Sequence, residues 1–248
     1  MSTKILHNVI EDNDRKLYCD WLDKKDKLTD DRPNFVSKTP SWNSDNWPKG
    51  PIKKVLDNIH TEGYTIDSLI FCDISTAFKL HAHSIEGQKN SKVTIIPLKC
   101  YGPSSTVMFD NHWYGKEGRF SKNNPPPYEY TLEINGKKEH IEDIRQYKTD
   151  DKELQLYIDK LVENTTKTVY KRYSDYSQIS NITNNAFDQD IHTKFLGHVP
   201  YEDLHGLSLE KVVEWQEGDA FTFDRTQLHC SSNTHDRKMF CTVFTLHT

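Results

Sequence analysis

The chain has 248 residues, and its 32 basic and 37 acidic side chains give a formal net charge of -5. That length suits a single domain with a sizeable core, and the acidic balance gives no global reason to expect nucleic acid as a partner, leaving only a local basic groove open. Charged residues make up 28% and the mean hydropathy is -0.80; no apolar run approaches the ~18–20 residues that span a bilayer, and the first residues lack a signal-peptide core, so a soluble, cytoplasmic protein with no membrane partner is expected.

Five cysteines (Cys19, Cys72, Cys100, Cys230, Cys241) with no CxxC suit free thiols in a reducing compartment. In chain order, 9–28 reads as an amphipathic helix. PIKKVLDNIHTEGY reads as a second, with Pro51 at the first position, Ile52, Val55, Leu56 and Ile59 as its stripe, and Gly63 at the end. From Tyr64 the texture changes to strands: SLIFCDIST, TAFKLHAHS, KVTIIPLKC and STVMFD. The middle is mixed. NNPPPYEY must be extended, 151–164 reads as a helix, and FDQDIHTKFLGHV offers another. Strands return in DAFTFD, QLHCS and KMFCTVFTL. Residues 1–63 thus form a helical support, 64–112 and 210–248 supply barrel strands, and 113–209 is an insertion within one domain. Such an order suits a mainly β fold with flanking helices, a sandwich or barrel, better than a parallel α/β sheet.

Three places offer metal ligands. His81 and His83, two residues apart on an expected strand, share a face. His229 follows a polar corner, Asp224 to Gln227, after the alternating AFTF strand. His60-Thr61-Glu62 has the spelling of a ligand pair, but i and i+2 diverge by about 200° on a helix, and it is set aside. Read alone, His81 and His83 are equally a polar strand face.

His81-x-His83, then His229, then Arg237 or Lys238 resembles the Fe(II)/2-oxoglutarate-dependent dioxygenases, whose pattern is His-x-Asp/Glu, His, Arg/Lys on a double-stranded β-helix, a jelly-roll, cupin-like barrel. EWQEGDAFTFDRTQLHCSSN, with SLEKVVEW before it, is similar to the phytanoyl-CoA-hydroxylase-like branch. The resemblance covers 210–246 best, 70–110 less well, and neither the first 50 residues nor the insertion. It implies Fe(II) held by His81, His83 and His229, 2-oxoglutarate anchored by a cation, and oxidation of a small-molecule or side-chain substrate. His83 departs from the family, standing where the carboxylate should be; Glu86 is the alternative if the chain bulges. For the anchor, guanidinium geometry favours Arg237 over Lys238, while strand parity does not decide because both faces are apolar. Arg225 and Gln227 are expected near the metal, and Gly218 to Asn233 also fits the second cupin motif. Trp113 and Tyr114 line either a substrate mouth or the core and rim. The cluster YKRYSDYSQ, with bases among tyrosines, reads as an exposed loop or strand before a nucleic-acid surface. Three rivals stand beside the oxygenase: a three-histidine cupin-like metalloenzyme without 2-oxoglutarate, a catalytically inactive binding barrel, and a halogenase-like variant.

Overall fold

The computed structural model describes residues 3–23, 35–38, 40, 48–59, 63–85, 90–115, 118–120, 130–134, 137–141, 144–167, 170–171, 179–233 and 236–247. In chain order the strands begin with β1 (Lys4–Leu6), β2 (Phe35–Lys38), β3 (Tyr64–Ile74), β4 (His81–Ala82), β5 (Lys92–Cys100), β6 (Ser105–His112) and β7 (Gly118–Phe120). They continue with β8 (Tyr130–Ile134), β9 (Lys137–Ile141), β10 (Tyr170–Lys171), β11 (Leu209–Glu214), β12 (Ala220–Asp224), β13 (Gln227–Ser231) and β14 (Lys238–His247). The helices are α1 (Asp12–Asp23), α2 (Lys49–Ile59), α3 (Lys152–Lys167) and α4 (Gln189–Phe195).

The pairings define the topology. β3 pairs with β14, β4 with β13, β5 with β12 and β6 with β11, all antiparallel, so an outgoing run of four strands is retraced by a returning run of four. That is a double-stranded β-helix, the jelly-roll form of the mainly β fold expected from the sequence. It yields two sheets, ordered β1-β12-β5-β14-β3-β2 and β10-β7-β4-β13-β6-β11.

Strand alternation builds three cores from these two sheets. On β14, Met239, Cys241 and Val243 join Tyr18 and Leu22 of α1 and Ile52 and Val55 of α2 on the outer face of the first sheet. Phe240 and Phe244 point the other way, into the space between the sheets, with Val93, Ile95, Met108, Phe221 and Phe223. Leu80, Ala82, Leu228 and Cys230 form the outer face of the second sheet, covered by Phe187, Leu196, Val199 and Leu204 from the insertion. The β8–β9 hairpin, not foreseen in the sequence, packs with α3 around Leu132, Ile141, Ile144 and Ile158.

Two elements depart from expectation. The first helix starts only at Asp12, because the Val9 and Ile10 N–H groups are taken by the Gly218 carbonyl and Ile10 is buried in the helix-side core. The expected strand TAFKLHAHS shrinks to His81–Ala82, since the Phe78 N–H goes to the Ser231 hydroxyl, outside any ladder. Gly63 has φ +97°, a conformation that glycine tolerates, and residues 60–62, between it and the last described residue of α2, lie outside the described residues. His60, Glu62 and most of YKRYSDYSQ lie outside the described residues. No helix among the described residues is long and apolar enough to cross a membrane.

Candidate metal centre

On β4 and β13 the same alternation that sends Leu80, Ala82, Leu228 and Cys230 outward sends His81 and His229 inward, and the register sets these two directly opposite each other. His83 follows one step past the end of β4. One ligand atom from each of the three imidazoles lies within 4.8 Å of the others. Ring centroids are 4.1 Å apart for His81–His229, 4.7 Å for His81–His83 and 5.1 Å for His83–His229. Distances of that size suit three nitrogens around one ion. Among the described residues the cluster contains no carboxylate. Glu86, the alternative ligand, lies outside them.

Backbone carbonyls orient two of the rings. His81 Nδ1 lies 2.7 Å from the Lys79 carbonyl, and His229 Nδ1 lies 2.9 Å from the Gln227 carbonyl. A carbonyl only accepts, so each Nδ1 carries the proton and each Nε2 presents its lone pair. Burial pushes the His229 pKa down to about 3, with the neighbouring His83 adding to the effect, so this ring is a neutral base at ordinary pH and needs to lose no proton to bind a metal. Three phenylalanines form the wall. Phe78 stands 5.9 Å from His81, Phe223 4.7 Å from His229 and Phe244 5.0 Å from His83, centroid to centroid. Nothing local marked them as site residues, because aromatic positions on strands read as core.

The two candidate anchors separate onto opposite faces of β14. Arg237 shares parity with the helix-side residues Met239 and Cys241; its guanidinium makes two 2.9 Å hydrogen bonds to Asp73 and one of 2.9 Å to Asp23 of α1. The preference for Arg237 is therefore corrected: its fork is occupied by carboxylates of the chain itself, on the face away from the histidines. Lys238 lies in the row of Phe240 and Phe244 between the sheets. It is 0% exposed, its Nζ has no hydrogen-bond partner among the described residues, and it sits 5.0 Å from the Trp215 ring centroid. Burial pushes its pKa down to about 8. Parity was undecidable from sequence because both faces of β14 are apolar; only the packing of α1 and α2 distinguishes them.

The remaining candidates scatter. Arg225 is buried against His83, as the corner before His229 suggested, and donates to the His83 carbonyl at 3.0 Å. Gln227 is buried and gives its amide N–H groups to the Phe109 carbonyl and the Glu210 carboxylate. Trp113 belongs to the core beyond the second sheet, fully buried and edge-on to Phe120 at 5.3 Å, so the substrate-mouth reading of it is corrected. Tyr114 is exposed and stacks on His112. Asn233 is exposed, with its main-chain N–H on the Phe195 carbonyl, away from the cluster.

No protein-family model and no curated protein matches the chain. Among solved structures it is similar to the non-heme alpha ketoglutarate dependent carbocyclase SnoK from nogalamycin biosynthesis, at 8% identity and TM-score 0.46, over 99% of this chain and 80% of that one. It is also similar to the epimerase SnoN in complex with Fe3+, alpha ketoglutarate and nogalamycin RO (9% identity, TM-score 0.46, 99% and 78% covered). A third is HygX from Streptomyces hygroscopicus with nickel and 2-oxoglutarate bound (9% identity, TM-score 0.41, 99% and 83% covered). The jelly-roll assignment rests on the strand pairings of this chain.

Proposed function

We propose that this protein is an Fe(II)- and 2-oxoglutarate-dependent oxygenase in which His81, His83 and His229 hold the iron and Lys238 binds the far carboxylate of the cosubstrate. The observation that carries this reading is the pairing of a three-imidazole cluster with a buried ammonium that has no hydrogen-bond partner among the described residues, on inward faces of the same roll. The donor set fits the metal: neutral imidazoles suit divalent iron, and three of them would hold it while leaving room for further ligands from solution. Lys238 fits the carboxylate, because a buried ammonium without an acceptor gains a charge-assisted hydrogen bond when an anion arrives. When bound, Fe(II) and 2-oxoglutarate supply the dioxygen-activating, oxidising chemistry.

The chain's own residues bind and orient. The Lys79 and Gln227 carbonyls hold the His81 and His229 Nδ1 protons and so aim Nε2 inward. Phe78, Phe223 and Phe244 stand against the imidazoles, of which His229 is buried and His81 and His83 are half-buried. Three neutral ligands leave both charges of a divalent ion uncompensated, which favours a dianionic cosubstrate in so apolar a setting. The substrate is expected to be a small molecule or a side chain.

The test is an anaerobic titration with Fe(II) and 2-oxoglutarate, followed through the weak visible absorption of the chelate. The band is expected in the wild type and absent in His229→Ala. Lys238→Ala is expected to weaken 2-oxoglutarate binding by about tenfold or more, the size of a lost buried charge-assisted bond, while Arg237→Ala leaves it unchanged. No band from folded wild-type protein defeats the proposal. The lack of a carboxylate in the described cluster favours a second reading, a three-histidine metalloenzyme without 2-oxoglutarate. That protein would bind metal equally well, show no chelate band and ignore Lys238.

A further inference from the structure

His83 is held differently from its two partners. His81 and His229 face each other across a strand pair, whereas His83 lies one residue past the end of β4 at Ala82. One buried residue takes over both of its main-chain groups. The His83 N–H donates to the Arg225 carbonyl at 2.9 Å, and Arg225 Nε–H donates back to the His83 carbonyl at 3.0 Å. The guanidinium is aimed by Asp67, which accepts from its terminal nitrogen at 2.8 Å. Arg225 uses its own N–H on the Ser91 carbonyl. Its guanidinium carbon lies 5.1 Å from the centroid of Phe244, and Phe244 meets the His83 ring edge-on at 5.0 Å. The residue comes from the turn between β12 and β13, so it ties His83 to the strand that carries His229.

We propose that Arg225, aimed by Asp67, is the positioning residue for His83, fixing it as the third imidazole of the cluster. The proposal rests on the metal-centre reading above. An arginine is required because its planar fork reaches the His83 carbonyl and the Asp67 carboxylate at once; a lysine in its place keeps the charge and loses one of the two contacts. Without the clamp, a ligand beyond the end of a two-residue strand retains backbone freedom that metal binding must then remove.

Vanadyl-loaded protein tests this, with pulsed EPR counting coordinated imidazoles and chelator competition giving metal affinity. Three imidazoles are expected in the wild type and two in His83→Ala. Arg225→Gln and Arg225→Lys are expected to show two, with affinity weaker by about 10–100-fold, the usual range for lost outer-shell support. Asp67→Asn, at the edge of the clamp, is expected to show a smaller loss in the same direction. Adding Arg225→Lys to His83→Ala should cost no further affinity, because the clamp then has no ligand to position. Melting curves of metal-free protein report whether each variant folds; if Arg225→Gln does not, Arg225→Lys and Asp67→Asn decide. Three imidazoles and unchanged affinity in those two variants overturn the clamp and leave the metal centre standing. A wild-type protein that binds no vanadyl and no Fe(II) overturns both.

Discussion

The Lys238 ammonium, beside the Trp215 ring and with no hydrogen-bond partner among the described residues, destabilises the ligand-free fold, because desolvating a charge without a hydrogen bond is costly. Lys238→Met keeps the length and apolar stem of the side chain and removes that burden. It is expected to raise stability to urea by on the order of 1–3 kcal/mol, while weakening 2-oxoglutarate binding by about tenfold or more, as Lys238→Ala does. A variant that is both less stable and still competent for the cosubstrate would show that Lys238 is structural. The same residue sets a pH dependence. Its folded pKa is lowered to about 8 from 10.5, so below pH 8 it is charged in both folded and unfolded chains, and the burial penalty is fully present. Between pH 8 and 10.5 the folded state gives up the proton first, and this group's contribution to stability rises with pH. Cosubstrate binding runs the opposite way. It needs the charged form, so affinity for 2-oxoglutarate is expected to be level below pH 8 and to fall by about tenfold per unit above it, measured by calorimetry in two buffers of different ionisation enthalpy.

At the scale of the element, the helical support is joined to the roll by specific bonds as well as by apolar contact. Tyr18 of α1 is fully buried, stacks on Phe71 of β3 at 5.3 Å, and accepts the Ile52 N–H of α2 at 3.1 Å while donating to the Pro48 carbonyl. Ile52 lies in the first turn of α2, where N–H groups have no partner within the helix, so the tyrosine hydroxyl completes that terminus. Tyr18→Phe keeps the ring and strands the amide. The expected loss is about 1–3 kcal/mol in urea unfolding, with metal affinity unchanged. Arg237 does comparable work at the surface, joining Asp23 of α1 to Asp73 of β3. The two β14 neighbours thus divide the labour: one fastens a helix outside, the other carries a charge inside.

For the whole molecule, winding the chain back on itself is what makes the site. β4 lies in the outgoing run and β13 in the returning one, and the insertion between β6 and β11 lies between them in sequence while covering the far face of their sheet. On the proposed reading, a metal held by His81, His83 and His229 would bridge the two runs and exist only in the folded state. Binding therefore adds to global stability, by about 2.7 kcal/mol at a free metal concentration one hundred times Kd. Thermal melts are expected to rise on adding Fe(II) or Ni(II) anaerobically, to fall back with a chelator, and to be insensitive to metal in His229→Ala. A melt of the wild type that ignores every divalent ion tried would sink the metal centre.

The short-range code wrote much of this fold plainly. β5 and β13 occupy the spans their composition marked, α3 follows its apolar stripe, and Gly63 takes a positive φ that glycine tolerates. That His229 takes the face opposite Leu228 and Cys230 was equally legible, because side-chain direction on a strand is a local property with a period of two. Which side of β14 faces the cluster was not. Lys238 and Arg237 sit on equally apolar rows, and the choice between them was made by α1 and α2 covering one row, a long-range packing event with no local signature. The phenylalanine wall and the Arg225 clamp on His83 were hidden for the same reason. Alternation in a strand fixes which residues share a face, but only the closure of distant strands fixes what that face meets.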